Sequence, residues 1–164
     1  EENPNNIPTL VSLAYVIPLR TREFDLDKEE KLAKAENFAR RALQLIPTWE
    51  SPDATTPPET WLLTKKEMMA ETHESLGQVS MKRKSYAKAE KSFRQALQLA
   101  TEQSGSAFYN LASALKEQSK YDEALAVVDQ SIAKGGNQAV DGRDISKILK
   151  AEINKLKNSG ASSQ

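Results

Sequence analysis

Segments of this chain recur along its length with a spacing of about 35 residues. Residues 86–96, YAKAEKSFRQA, return as residues 121–131, YDEALAVVDQS. An earlier copy lies at residues 33–45, where AKAENFARRALQL parallels AKAEKSFRQALQL at residues 87–99. A repeat of this length is typical of a helical solenoid, in which each unit buries its apolar face against its neighbours. The repeat therefore predicts an all-α array, of a class that usually binds rather than catalyses.

The composition limits the kinds of partner. Lys plus Arg and Asp plus Glu each number 23 in 164 residues, so the formal net charge is zero. Nucleic-acid-binding domains carry a basic excess on one face, and this balance predicts no nucleic-acid partner. The sequence has no run of about 18 apolar residues, which predicts no membrane insertion. Cysteine is absent, and the compartment stays open, since such a chain fits the cytosol and equally export after removal of an N-terminal signal.

Helical spacing of apolar residues predicts a series of helices separated by short polar turns. The first helical pattern begins near residue 8 and is disturbed at Pro18. The second follows Asp27, a residue that suits an N-cap, and ends at Pro47. A longer helix starts at Pro58, because proline is tolerated in the first turn. Further helices are predicted at residues 86–101, 106–118, 121–134 and 141–157, the last one capped by Asp141 or Asp144.

These units resemble the tetratricopeptide repeat, whose signature is W-x2-L-G-x2-Y, then A-x3-F, then P. In the middle unit the signature positions hold His73, Leu76, Gly77, Ser80, Ala89, Phe93 and Thr101. In the last unit they hold Phe108, Leu111, Ala112, Leu115, Ala124, Val128 and Gly136. In the first unit they hold Leu10, Leu13, Ala14, Ile17, Ala35, Ala39 and Pro47, with about nine extra residues between the two helices. Small residues such as Gly77 and Ala112 permit close approach of the two helices in one hairpin.

The resemblance implies an all-α fold, a right-handed α-α superhelix of about three helix hairpins followed by a C-terminal capping helix. The units are expected at residues 8–47 with an insertion, 58–102 and 104–136, and the capping helix at 141–157. An extended segment at residues 1–7 and a disordered tail at 158–164 are expected to flank this domain.

The resemblance also implies a concave face, lined by the first helix of each pair, on which a partner peptide or helix lies. The expected function is a non-catalytic protein-protein interaction scaffold. The residues expected to line the groove are Tyr15, Glu71, Glu74, Gln78, Met81, Tyr109, Asn110, Ser113 and Lys116, with Val11 as a further counterpart in the first unit. Glu71 and Glu74 suit a basic or amide-bearing ligand. Glu74 and Gln78 stand where the co-chaperone type of repeat needs a cation and an Asn, so no binding of a chaperone-tail carboxylate is expected.

Catalytic and metal chemistry find little support in the sequence. His73 and Glu74 begin like a zinc-protease motif, but the second His is missing, so a packing or edge role is expected for His73. Glu67, Glu71 and Glu74 share one helix face, and this pattern fits an acid-base or cation site, an acidic stripe in a groove, or a solvated face. Without a Gly-rich phosphate loop or a nucleophile elbow, the sequence predicts no enzyme, no cofactor and no metal.

Two surface features leave other partners open. A basic cluster, which fits phosphate, an acidic surface or simply a solvated helix turn, consists of Lys82, Arg83, Lys84, Lys88, Lys91 and Arg94. Trp61, Met68 and Met69 are interpreted as buried against the first hairpin, or as an exposed strip that supports a homodimer. The alternative function is therefore a structural or self-association module of a larger protein or a homo-oligomer.

Overall fold

The computed structural model describes residues 5–139 and 141–161, with side chains up to residue 159. Over these residues the chain forms seven α-helices, a 3-10 helix at Ile46–Thr48 and no β-strand. The helices are α1 Ile7–Arg20, α2 Lys28–Leu45, α3 Pro58–Lys82, α4 Tyr86–Leu99, α5 Gly105–Glu117, α6 Tyr121–Ala133 and α7 Ile145–Ala161. The predicted all-α fold class is confirmed.

Neighbouring helices pack in pairs, and the pairs stack in chain order. The helices α1 and α2, α3 and α4, and α5 and α6 form three hairpins with extensive contacts inside each pair. The second hairpin packs on the first through α3, and the third packs on the second through α4 and α5. The last helix, α7, packs on α6 and also touches α5. This order of contacts is that of a helical repeat array.

The first helix begins one residue inside the segment predicted to be extended. Asn6 is its N-cap, and the Asn6 Oδ1 accepts a hydrogen bond from the Thr9 backbone N–H at 3.0 Å. Pro18 lies inside α1, so the prediction that the helix is disturbed at this residue is wrong. Proline lacks the backbone N–H, so Pro18 removes one hydrogen bond of the helix, and the helix nevertheless continues to Arg20.

The last helix resolves the choice between two caps. The Asp144 Oδ1 accepts a hydrogen bond from the Ser146 N–H at 3.0 Å, so Asp144 and not Asp141 caps α7. The helix extends to Ala161, which makes helical the first four residues of the segment predicted as a disordered tail. Residues 162–164 of that segment lie outside the described part of the chain.

Close helix approach inside the middle hairpin depends on Gly77. A Cβ atom placed on Gly77 would lie 2.3 Å from the Phe93 Cε1 atom, well inside van der Waals contact. The Phe93 ring, which is 2% exposed, therefore occupies the space that a larger residue at position 77 would need. In the next hairpin the equivalent positions hold Ala112 and Val128. The residue at the glycine position is therefore larger there, and the residue that packs against it is smaller.

The apolar interior of the described residues is divided into one large cluster and two small ones. The large cluster joins α4, α5, α6 and α7 and includes Phe93, Leu115, Val128 and Ile153. A second cluster joins α1, α2 and the 3-10 helix, with Met68 and Met69 of α3 packed against it. The third contains only Leu32, Ala35 and Val79, with Ile17 against it.

The aromatic pair near the start of α3 is part of this packing. The Trp61 ring lies 4.6 Å from the Trp49 ring in an edge-on arrangement, and the Trp61 Nε1–H donates a hydrogen bond to the Trp49 carbonyl at 2.9 Å. Together with the contacts of Met68 and Met69, this pair confirms that the three residues pack against the first hairpin. None of the described helices combines the length and the apolar character that crossing a bilayer requires.

Candidate functional site

A pocket of about 410 Å³ lies between α3, α5 and α7. Six of the nine residues expected in the groove line it, namely Gln78, Met81, Tyr109, Asn110, Ser113 and Lys116. Gln78 and Met81 come from the C-terminal half of α3, one turn apart. The other four lie on one face of α5, because positions 109, 113 and 116 follow the helical i, i+4, i+7 spacing. We call this pocket the groove pocket.

Part of the groove pocket comes from residues that the sequence placed elsewhere. Its floor includes Phe93, a signature residue of the repeat, and its far wall is formed by Ile145, Ile148 and Leu149 of α7. The sequence predicted α7 only as a capping helix. The structure leaves Ile148 48% exposed beside the pocket, whereas Leu149 and Ile153 belong to the core.

An ion pair fixes the rim of the groove pocket between α5 and α7. The Lys116 Nζ lies 2.9 Å from the Glu152 carboxylate and 2.9 Å from that of Glu117. Although burial opposes it, hydrogen bonding to Glu117 and Glu152 raises the pKa of Lys116, so this rim cation stays charged. The Ser113 hydroxyl donates a hydrogen bond to the Tyr109 carbonyl at 2.9 Å.

The remaining expected residues lie next to the groove pocket, toward α1. The Asn110 Nδ2–H, on the pocket wall, donates to the Glu74 Oε1 at 2.7 Å and connects the two areas. Burial raises the pKa of Glu74, the Asn110 hydrogen bond opposes this, and the charge of Glu71 adds to it. Burial, followed by the charges of Glu74 and Glu71, also raises the pKa of the Tyr15 phenol. We call Tyr15, Glu71 and Glu74 the acidic end of the groove.

The three carboxylates of the α3 stripe line one smaller cavity of about 240 Å³ but differ in their contacts. Glu67 accepts hydrogen bonds from the backbone N–H and the hydroxyl of Thr101, which ties α3 to the turn after α4. Glu74 is half-buried and hydrogen bonded, so the solvated-face interpretation is wrong for this residue, and the groove interpretation fits it.

Two candidate residues, Val11 and His73, do not line the groove pocket. Val11, offered as a groove counterpart in the first unit, is 3% exposed and belongs to the cluster beneath α1, so that assignment is wrong. The His73 Nδ1 is buried without a hydrogen-bond partner among the described residues, and burial lowers the pKa of His73. Within residues 5–139 and 141–161 no group of three His, Asp or Glu side chains could hold a metal ion.

The basic cluster of the sequence is dispersed over several contacts. The Lys82 Nζ donates to the Thr21 carbonyl at 2.8 Å, and Arg83 pairs with Glu36 and Glu29 at 2.5 Å each. Arg94 pairs with carboxylates of α4 and α6. Lys88 and Lys91 have no ion pair within the described part of the chain.

Comparison with known proteins adds one match. Residues 68–134 are similar to the tetratricopeptide repeat family, whose sequence model they match. This range runs from the middle of α3 to the end of α6 and contains eight of the nine residues expected in the groove. No curated protein matches the chain.

Proposed function

We propose that this chain, whose residues 68–134 match the tetratricopeptide repeat family, is a non-catalytic scaffold that holds a segment of a partner protein along its concave groove. The observation that carries this proposal is the groove pocket, in which six expected residues meet around an apolar floor. Repeats of this family are typically interaction modules, which agrees with a binding role and not a catalytic one.

The size and lining of the groove pocket suit one bulky apolar side chain of a partner. A volume of about 410 Å³ lies within the usual range of ligand pockets, about 300–1,000 Å³. Its floor is made of aliphatic and aromatic side chains, and its rim carries an amide, a hydroxyl and an ion pair that orient a backbone. Since the helices that form it are packed in hairpins, the ordering cost of binding falls mainly on the partner segment.

The acidic end of the groove determines the polarity of the partner. Glu71 and Glu74 would meet like charge in an acidic ligand, whereas a Lys, Arg or amide side chain can pair with them. Burial makes a charge at Glu74 costly, so a cation that pairs with it gains more than it would at an exposed carboxylate. We therefore assign to the partner segment a bulky apolar residue followed along the groove by a basic or amide-bearing residue.

Selection from a random peptide library displayed on phage tests this function. Peptides are selected on the wild-type chain and counter-selected on a Ser113→Trp variant, in which an indole fills the groove pocket. The selected peptides are expected to share an apolar residue and a basic or amide residue. Their affinities are then measured on Tyr109→Ala and on the Glu71→Lys, Glu74→Lys double variant, each with an expected loss of at least tenfold.

A charge change outside the groove supplies the matched control. Lys155 lies on the exposed part of α7 and has no ion pair within the described residues, so Lys155→Glu should leave peptide affinity within twofold. Charge reversal at Glu71 and Glu74 that leaves affinity intact contradicts the acidic end as part of the site. Selected peptides that bind Ser113→Trp as tightly as wild type contradict the groove function itself.

The alternative function, a self-association module, requires surfaces other than Trp61, Met68 and Met69. Trp61, Met68 and Met69 are engaged within the chain. The exposed apolar residues that remain include Phe24 and Leu26, at 93% and 108% exposure, in the loop between α1 and α2. Sedimentation velocity across a hundredfold range of concentration separates the two functions, because a constant monomer leaves the scaffold role alone.

A further inference from the structure

A second pocket, of about 330 Å³, lies between α2, α4 and the C-terminal end of α3, and shares no residue with the groove pocket. Among its lining residues one carboxylate, Glu36, faces four cations, Arg40, Arg83, Lys88 and Lys91. Glu36 already binds two of them, with its oxygens 2.6 Å from Arg40 and 2.5 Å from Arg83. We call this pocket the first gap, since it separates the second helices of the first two hairpins.

The donors that line the first gap exceed the acceptors that the chain offers them. Lys88 and Lys91 form no ion pair, and the hydroxyls of Ser85 and Ser92 form no hydrogen bond, within the described residues. The Arg83 Nε–H is buried and also lacks a partner among these residues. Buried polar groups are nearly always satisfied, so an unpaired donor beside free ammonium and hydroxyl groups indicates a missing acceptor.

In the next repeat, carboxylates of the chain itself pair with the cation at the corresponding position. The repeat aligns Glu36 and Arg40 of α2 with Glu90 and Arg94 of α4. Arg94 lies 3.0 Å from Glu90 and 2.9 Å from Glu123 of α6, so it bridges two successive helices. We call this region between α4 and α6 the second gap.

One position makes the difference between the two gaps. The repeat aligns Glu123 with Lys88, so the carboxylate that closes the second gap is replaced by a cation in the first. In the second gap two carboxylates, Glu90 and Glu123, face two cations, Arg94 and Lys120. The first gap keeps an excess of positive charge, even though the exposed Glu29 also pairs with Arg83.

We propose that the first gap binds the phosphate group of a phosphorylated serine or threonine in a partner segment. A phosphate monoester carries a charge of about −1.5 to −2 and three strong acceptor oxygens, which is the charge and the acceptor set that this site lacks. The free volume equals that of about ten water molecules, enough for the phosphate and the side chain that carries it. Lys88 and Lys91 pair with its oxygens, and the Ser85 and Ser92 hydroxyls donate to them.

A nucleic acid fits the first gap less well than a single phosphorylated side chain. Nucleic-acid affinity depends on many phosphate contacts along an extended track, and the other cations of the basic cluster are engaged with Thr21, Glu23, Glu36 and Glu123. Aromatic side chains, on which bases would stack, do not line the first gap within the described residues. The site is therefore built for one dianion.

Fluorescence anisotropy with the full chain tests this inference. The probe is a labelled seven-residue peptide of Gly and Ala with one central phosphoserine, and its twin carries serine. The phosphopeptide is expected to bind and the twin to bind at least tenfold more weakly. Lys88→Glu, which recreates the Arg94–Glu123 bridge between Arg40 and position 88, should fold normally and lower phosphopeptide affinity at least tenfold. Lys155→Glu, with the same change in charge on α7, should stay within twofold of wild type.

Each other outcome overturns the inference. Equal affinity of the phosphopeptide for wild type and Lys88→Glu would show that the charge contact lies elsewhere. If inorganic phosphate does not displace the phosphopeptide, or if it binds while the phosphopeptide does not, a phosphorylated side chain is excluded as the ligand. An oligothymidylate that binds more tightly than the phosphopeptide, and loses that affinity in Lys88→Glu, would assign the first gap to nucleic acid instead. Because the groove pocket shares no residue with this site, a negative result here leaves the proposed function untouched.

Discussion

The contact between the first and second hairpins differs from the contact between the second and third in both packing and charge. Around α1 and α2 the interior is split into two clusters, one of which has only three fully buried members. From α4 onward one continuous cluster joins four helices. The charges follow the same division, since the first gap is open and cationic whereas the second gap is closed by Glu90, Arg94 and Glu123.

This difference separates the part of the chain that keeps the family pattern from the part that departs from it. The family match covers the second contact entirely and only half of α3 at the first. Where the pattern is kept, small residues and matched charges close the array. Outside the matched range, a longer loop between α2 and α3 and additional N-terminal turns of α3 depart from the pattern.

The largest expected effect concerns the two clusters. Leu115 and Leu32 are both fully buried, the first in the large cluster and the second in the smallest. Leu115→Ala should cost about 4–5 kcal/mol of unfolding free energy and Leu32→Ala about 2–3 kcal/mol, because a cavity surrounded by more packed neighbours collapses less. Urea unfolding of the two variants measures both costs.

Native-state hydrogen exchange shows whether the two contacts are independent. In an array whose units touch only their neighbours, Leu32→Ala should speed exchange in α1 and α2 and leave α5 to α7 protected. Leu115→Ala should speed exchange from α4 to α7. Loss of protection in α6 on substitution of Leu32 would show that the chain unfolds as one cooperative unit. Equal costs for the two substitutions would show that the two clusters are packed equally well.

Much of this fold could be predicted from the sequence because its signals are local. The spacing of Leu111, Ala112 and Leu115 along one helix, and the proline at position 58, determine helices without reference to the rest of the chain. The expected residues of the groove pocket followed from the resemblance to the tetratricopeptide repeat, which implies that the first helix of each pair lines the concave face. Position 77 could be recognised because a glycine within a helix needs a packing reason, and the Phe93 ring provides it.

What the sequence could not supply depends on contacts between distant residues. Arg83 and Glu36 are 47 positions apart, so the basic cluster looks continuous until the carboxylates that bind it are placed. The side of α7 that lines the groove depends on how that helix is attached, through a hydrogen bond of 2.7 Å between the Ser131 and Ser146 hydroxyls. Both contacts join segments whose relative position no local pattern reports. The alignment of Lys88 with Glu123 was visible in the repeat and was the one available signal for the first gap.

A smaller effect is expected from exchanging the packing of one hairpin for that of the next. Gly77→Ala should cost about 1–3 kcal/mol, because the new methyl group meets the Phe93 ring. Phe93→Val alone should cost about 2 kcal/mol through the cavity it leaves. The double variant reproduces the Ala112 and Val128 pair, and should be more stable than the sum of the two by about 1 kcal/mol or more. If the costs of the two substitutions are additive in a thermal double-mutant cycle, positions 77 and 93 are not coupled, and the Ala112 and Val128 pair cannot replace Gly77 and Phe93.

The smallest effect concerns Glu74, which lies between the two contacts and has a different neighbour on each side. Toward the third hairpin Asn110 donates a hydrogen bond to it, and toward the first hairpin Tyr15 faces it without one among the described residues. Burial raises the pKa of Glu74 above the value of an exposed Glu, so the folded state holds this proton more strongly than the unfolded state. Stability from this group is therefore present at low pH and is lost as the pH rises from the ordinary Glu value through the raised pKa. Glu74→Gln should remove that loss and leave the chain slightly more stable at pH 7.

The two neighbours of Glu74 should then act differently on its titration. Asn110→Ala removes the hydrogen bond that favours the carboxylate, so the pKa of Glu74 should rise further. Tyr15→Phe keeps the ring and removes only a neutral hydroxyl, so the pKa of Glu74 should stay where it is. Carbon-13 titration of the side-chain carboxyl group measures both. A larger change in Tyr15→Phe than in Asn110→Ala would place the contact that controls the titration of Glu74 at the first hairpin and not at the third.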